Sequence, residues 1–90
     1  MQKYTITYIK KLDVNKFSDE KAVATVEAEM LGPAKRNASE AVNNWLLDNN
    51  VKIRNKGEWT KDVKRGGFVR EYLVTMDDTA CKLIFILREA

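Results

Sequence analysis

The chain has 90 residues, of which 16 are Lys or Arg and 13 are Asp or Glu, so its formal net charge is +3. A chain of this length forms one domain, residues 1–90, with one hydrophobic core, and an apolar fraction of 44% excludes disorder throughout. Cys81 is the one cysteine, which excludes an internal disulfide. Histidine is absent, which removes the commonest general base, and the two facts together argue against a zinc site.

The N-terminal residues 2–12 predict a β-strand. Tyr4, Ile6 and Tyr8 lie on one side of it, because aromatic and β-branched residues recur there at period two. The start of the chain lacks the apolar core of a signal peptide, and no apolar run approaches the ~20 residues of a membrane span. We therefore expect a cytoplasmic protein. Residues 12–20 predict a polar connection.

Residues 20–31 fit both a helix capped by Ser18 and an alternating strand. The segment that follows favours a strand over 21–30. Gly32 and Pro33 open a clear helix, with proline in the first turn, and two helices joined by a single residue would be unusually tight.

The helix is predicted from about 33 to 48, with Leu31 just before its cap. Small and apolar side chains form a stripe at helical spacing, which indicates the face that packs on a sheet. These residues are Ala34, Ala38, Ala41, Val42, Trp45 and Leu46. We expect Trp45 and Leu46 to lie in the core rather than at a contact surface.

Three more strands are predicted at 51–55, 68–76 and 80–89, with turn signals at 55–57 and 77–79. The last strand is apolar on both faces, which is typical of a central strand or of an edge covered by a partner. The order β-β-α-β-β-β predicts an α+β fold, a four- to five-stranded antiparallel sheet with one helix packed on a face.

No catalytic or metal-binding motif is present. The paired carboxylates Asp19-Glu20 and Asp77-Asp78 fall in loops or turns, and Glu27 and Glu29 are expected to point to water. Acid–base catalysis requires a desolvated carboxylate with a shifted pKa, and nothing in the sequence indicates one. We expect a protein that is not an enzyme and that has no cofactor and no metal.

Positive charge is concentrated in residues 52–70, which hold seven Lys or Arg and two acids, a net +5, whereas the remaining 71 residues carry a net −2. The pattern favours a basic hairpin that contacts phosphates or an acidic partner, with an aromatic ring able to stack on a base. The candidate partner-binding residues are Lys52, Arg54, Lys56, Trp59, Lys61, Lys64, Arg65 and Arg70.

A second interpretation of the same stretch is structural. Surface hairpins are polar, lysines keep strand edges from pairing with other chains, and Trp59 can fold back on the core. Both interpretations remain open at this point. No helix-turn-helix, RNA-recognition or zinc-finger signature is present.

Lys35 and Arg36 are further candidate contacts in the first turn of the predicted helix, where cations oppose the helix dipole at a cost of a few tenths of a kcal/mol. This small cost is compatible with a binding role and equally with drift on an exposed face. Lys35 and Arg36 belong to residues 26–39, VEAEMLGPAKRNAS. This segment resembles the strand-to-helix segment of a small phage-type anti-CRISPR family that acts on type I-F surveillance complexes. The shared skeleton is Glu27-Ala28-Glu29, Leu31, Ala34-Lys35-Arg36 and Ala38-Ser39.

The resemblance, which covers about a sixth of the chain, implies a twisted antiparallel sheet with one helix. It also implies binding to a backbone subunit of an RNA-guided complex, where target DNA would run. Lys35 and Arg36 match two basic contact positions of the family, and a third basic position on that helix is Glu40 here.

Three functions follow as hypotheses. The first is a non-enzymatic, anti-CRISPR-like inhibitor from a phage or other mobile element, which binds a protein or nucleoprotein complex through Lys35, Arg36 and the basic hairpin. The second is a domain that binds DNA or RNA directly through residues 52–70. The third is a structural or oligomerising protein.

Overall fold

The computed structural model describes residues 1–90 and contains one helix packed against an antiparallel sheet, which confirms the predicted α+β fold. The elements are β1 (Gln2–Asp13), β2 (Lys16–Phe17), β3 (Lys21–Ala28), α1 (Leu31–Asp48), β4 (Lys52–Lys56), β5 (Thr60–Asp62), β6 (Gly67–Met76) and β7 (Thr79–Glu89). The short strands β2 and β5 were not predicted, because two or three residues are too few to show an alternating pattern and only backbone pairing with longer neighbours defines them.

The strands form one sheet in the order β2-β1-β7-β6-β4. Strand β3 also pairs with β1, and β5 also pairs with β6, so each edge of the sheet is divided between two shorter strands. Every pairing is antiparallel. Apolar residues on both faces of β7 predicted either a central strand or a covered edge, and β7 lies between β1 and β6, in the centre of the sheet.

The helix buries the predicted stripe against the sheet. Its fully buried members are Ala34, Ala38, Val42 and Leu46, and they pack on side chains from β1, β6 and β7. The helix begins earlier than predicted. Met30 is the N-cap residue, without a side-chain capping hydrogen bond, and Leu31 is already helical.

Aromatic rings fill the centre of this core. The rings of Tyr8 and Trp45 lie 4.7 Å apart, and Trp45 and Tyr72 both meet Phe85 edge-on, at 5.8 and 5.1 Å. Such tilted and edge-on contacts contribute about 0.5–1.5 kcal/mol each beyond the burial of their area. Trp45 and Leu46 therefore lie in the core, as predicted.

The face of the sheet opposite the helix, called here the open face, carries a smaller apolar cluster of Ile9, Ile84 and Ile86 with Val69 packed against it. These residues alternate along their strands with those that face the helix, as the pleat of a strand requires. The sheet therefore has a large core on one face and a small one on the other.

Arg88, at the end of β7, connects two loops of the chain. Its Nη1 donates a hydrogen bond to Oε1 of Glu20, which also accepts one from the Thr7 hydroxyl at 2.7 Å. Its Nε donates to the carbonyl oxygen of Arg65 at 2.6 Å. The Arg65 guanidinium lies 5.5 Å from the centre of the Phe17 ring. Both the segment before β3 and the turn after β5 are thereby fixed to the sheet.

The glycine pair between β5 and β6 is required by backbone geometry. Gly66 has φ of 72°, in the left-handed region that other residues avoid. A Cβ atom on Gly67 would lie 2.2 Å from the carbonyl oxygen of Leu87, so no side chain fits there. The turn can close on β7 only with glycine at both positions.

The helix is not apolar enough over its length to cross a lipid bilayer. The chain is compact: its radius of gyration of 12.6 Å is close to the value of about 12 Å expected for a folded chain of this length.

Candidate functional site: a basic edge of the sheet

The basic residues of the 52–70 stretch lie mainly along one edge of the sheet. Strands β4 and β5 both pair with β6, one after the other, so the stretch is an interrupted edge strand followed by a turn. The predicted hairpin is present between β5 and β6, and β4 adds a second pairing with β6 that was not predicted. Five exposed cations mark this surface, which is called the basic edge below. They are Lys52, Arg54, Lys56, Lys61 and Lys64.

The basic edge extends along most of β6, from the partner of Lys52 at Thr75 to the partner of Lys61 at Phe68. At about 3.3 Å per residue, this span is roughly 25 Å. The register of β4 shifts between Ile53 and Asn55, so Arg54 lies at a bulge. Arg54 therefore lies outside the regular pairing of β4 with β6.

None of the five side chains forms an ion pair. The three salt bridges of the molecule involve Arg65, Lys82 and Arg88. The acids within the stretch are Glu58 and Asp62. Exposed cations without a fixed counter-charge leave a positive potential at the surface, which attracts anionic partners and speeds their association.

Arg70, predicted to be a contact residue, is turned inward and only 8% exposed. Its Nε donates to the carbonyl oxygen of Gly57 at 2.8 Å, and its Nη1 donates to the Ser39 hydroxyl at 2.9 Å. Its guanidinium also lies over the rings of Trp59 and Tyr72. Arg70 thus joins β6, the segment before β5 and the helix, and the basic edge does not include it.

Trp59, the other aromatic candidate, packs against the main core instead of standing free. Its indole Nε1 donates to the Ser39 hydroxyl at 2.9 Å. This arrangement agrees with the structural interpretation of Trp59, and the ring is not presented for stacking on a base.

Arg65 is half-buried and bound to its own chain. It lies 4.0 Å from a carboxylate oxygen of Asp62, and its guanidinium covers Phe17. The structure therefore separates Arg65 from the exposed lysines beside it.

The two candidate residues of the helix differ in their surroundings. Lys35 reaches toward the basic edge, where its Nζ lies 4.2 Å from the centre of the Phe68 ring. Arg36 is exposed, and it is two residues from each of the buried Ala34 and Ala38, which places it on the helix side away from the sheet. Lys35 extends the basic edge onto the helix, and Arg36 does not.

A signal for the inward direction of Arg70 was present in the sequence. Arg70 has the same strand parity as the apolar Phe68, Tyr72 and Val74, and all four lie on the helix side of β6. The contact between Lys35 and Phe68, by contrast, depends on how the helix sits on the sheet, and no sequence pattern indicates it.

Two pKa values are displaced by their surroundings, and neither belongs to the basic edge. The hydrogen bond from Arg88, helped by the one from Thr7, holds the pKa of the Glu20 carboxyl below its usual value. Burial raises the pKa of the Tyr72 phenol. The structure contains no group of three His, Cys, Asp or Glu side chains that could hold a metal ion. The chemistry available at the basic edge is electrostatic attraction.

Comparisons with known proteins add no assignment: no family model, no curated protein and no solved structure matches the chain. The class that fold and site define is an α+β domain with a basic edge.

Proposed function

We propose that the protein is a non-enzymatic binding protein that uses its basic edge to occupy an anionic surface on a protein or nucleoprotein complex. The observation that supports the proposal is a group of five exposed cations, four on the strands of one sheet edge and Lys64 in the adjoining turn, none of them in an ion pair. Lys35 adds to this surface from the helix.

We further propose that the protein is an inhibitor of mobile-element type that acts on a complex such as a CRISPR surveillance complex. The resemblance of residues 26–39 to an anti-CRISPR family supports that part of the proposal. We also propose that the protein is cytoplasmic, which the free thiol of Cys81 and the lack of disulfides support.

Direct binding of DNA or RNA is the second candidate. A row of cations about 25 Å long can follow a phosphate backbone, and binding of that kind weakens steeply with salt. The inward packing of Trp59 favours the first candidate, because single-strand binding usually combines charge with exposed stacking rings.

Capture of partners from the native cell tests the proposal. Wild-type protein is compared with a variant carrying Lys52→Glu, Arg54→Glu and Lys56→Glu. The matched control carries Lys3→Glu, Lys16→Glu and Lys21→Glu, three equally exposed lysines outside the basic edge. Captured proteins are identified by mass spectrometry, and circular dichroism verifies that both variants fold.

We expect the β4 variant to lose the partner and the control to keep it. Equal retention by both folded variants would refute the role of the basic edge. A salt series of gel shifts separates the two candidates. Micromolar binding of purified nucleic acid that falls steeply with salt identifies the second, whereas capture of a complex without such binding identifies the first.

A further inference from the structure

A cleft of about 650 Å³ lies between the start of α1 and the turn that joins β5 to β6. Its apolar lining is formed by Tyr4, Leu31, Val63, Phe68 and Leu87. The volume is within the range of about 300–1,000 Å³ that is typical of ligand sites. Tyr4 and Leu87 are buried, so the apolar surface that faces water here belongs to Leu31, Val63 and part of Phe68.

The rim of the cleft is apolar as well. Val63 is 81% exposed and Leu31 is 36% exposed, on opposite sides of the opening. Water-exposed apolar side chains that flank an apolar depression are typical of a protein interaction site rather than of a phosphate site. A partner that only presents phosphates would leave these side chains without a contact.

Two lysines converge on the Phe68 ring. Lys35 Nζ lies 4.2 Å from its centre, and Lys61 is its cross-strand partner on β5. Neither lysine has an ion-pair partner, whereas Asp62 and Arg88, which also line the cleft, are paired within the chain. Glu89 is the remaining charged group of the lining. Lys35 and Lys61 are therefore available to carboxylates from outside.

We propose that the cleft binds an acidic segment of the partner protein, with a bulky apolar side chain of that segment seated between Leu31 and Val63 above Phe68. The flanking carboxylates of the segment pair with Lys35 and Lys61. The proposal rests on the proposed function and specifies which part of the partner is recognised.

Peptide titration followed by NMR tests this inference. The probe is an acetylated, amidated heptapeptide with one leucine between two pairs of glutamates, added to full-length ¹⁵N-labelled protein. We expect the largest amide shifts at Leu31, Gly66 and Gly67, which border the cleft. Replacing the leucine of the probe with glycine, or its glutamates with glutamines, is expected to weaken binding at least about fivefold.

Variants of the protein complete the test. Val63→Ser removes one exposed apolar contact, and the double variant Lys35→Gln with Lys61→Gln removes the two ammonium groups. Each is expected to weaken probe binding about fivefold or more. The matched control, Lys52→Gln with Lys56→Gln, removes the same charge from the β4 part of the basic edge and is expected to bind the probe nearly as wild type does.

Several results would overturn the inference. The inference fails if millimolar probe produces no amide shifts, or if the glycine probe binds as tightly as the leucine probe. It also fails if the control pair weakens probe binding as much as the Lys35 and Lys61 pair does, or if an oligothymidylate shifts the same amides more strongly than the probe. If the probe fails to bind while the β4 charge-reversal variant still loses its captured partner, the cleft inference fails and the proposed function stands.

Discussion

The hydroxyl of Ser39 accepts a hydrogen bond from the indole Nε1 of Trp59 at 2.9 Å. The same hydroxyl accepts one from Arg70 Nη1 and donates to the carbonyl oxygen of Lys35. One small side chain on the helix therefore satisfies two donors that come from the sheet side. Without the Ser39 hydroxyl, both donors would lack a hydrogen-bond acceptor in surroundings that are largely shielded from water.

The first prediction is that Ser39→Ala lowers the free energy of unfolding by about 2–4 kcal/mol, because each donor left unsatisfied costs about 1–3 kcal/mol. Urea denaturation measures the change. Trp59→Phe keeps an aromatic ring without the N–H group, so the loss from Ser39→Ala should be smaller in that background. Additive losses would show that the two side chains are not coupled.

The second prediction compares two glycines. Gly67→Ala is expected to cost about 2 kcal/mol or more, because the new methyl group meets the Leu87 carbonyl oxygen and strands β6 and β7 must separate. Gly32→Ala meets nothing within 4 Å, and in the first helical turn it should stabilise the protein by up to about 1 kcal/mol. Thermal melting of the two variants provides the comparison, and similar shifts in the same direction would contradict it.

The third prediction concerns acid stability. The Glu20 carboxyl has a lowered pKa in the folded state, so the unfolded chain binds more protons as the pH falls below the usual value of 4.5. The stabilisation is complete above that value and is lost as the pH falls through the folded-state pKa. Because Glu20 is exposed, the effect should not exceed about 1 kcal/mol.

Urea midpoints measured between pH 6 and pH 3 test the role of Glu20, with Glu20→Gln as the comparison. The decline of stability with falling pH should be shallower in the variant. Added salt should reduce the difference between the two proteins. Parallel pH profiles would show that the hydrogen bonds from Arg88 and Thr7 do not stabilise the folded state.

The fourth prediction concerns the buried phenol of Tyr72, whose hydroxyl has no hydrogen-bond partner. Burial raises its pKa, so above the usual value of 10 the unfolded chain ionises first and the folded state loses stability. Tyr72→Phe should remove that loss and raise stability at neutral pH by up to about 1 kcal/mol. Alkaline unfolding curves of the variant and of the control Tyr8→Phe provide the measurement.

The fifth prediction tests the protective role of the β4 cations. Replacing Lys52, Arg54 and Lys56 with threonine leaves a neutral edge strand with good β propensity, which should pair with a second copy. Sedimentation over a range of protein concentrations should then detect dimers. Neutralising Arg36 and Lys64 with glutamine, outside the edge strands, should leave the oligomeric state of the wild-type protein unchanged.

The sequence was informative where periodicity alone decides the structure. The Gly32-Pro33 pair favoured a strand over 21–30, although helical spacing was also present, and the structure has a strand at Lys21–Ala28. The helical stripe from Ala34 to Leu46 and the central position of β7 followed from apolar spacing in the same way.

Contacts between distant segments were not predictable. The pairing of Thr60–Asp62 with β6 involves polar residues whose sequence resembles a loop. Trp59 turns inward because Ser39, twenty residues away, offers an acceptor. The cleft above Phe68 lies between the start of the helix and the turn after β5, two segments that are far apart in the sequence. Charge composition therefore located the basic stretch, and tertiary packing decided which of its side chains remain exposed.

The turn after β5 is bonded both internally and to β7. The Asp62 carboxylate accepts the Arg65 amide, the Val63 carbonyl oxygen accepts the Gly66 amide, and Arg88 bonds to the Arg65 carbonyl oxygen. A partner that bound at this turn would order side chains without rearranging the backbone, which lowers the entropic cost of association. A complementary surface can consequently reach useful affinity over a small contact area.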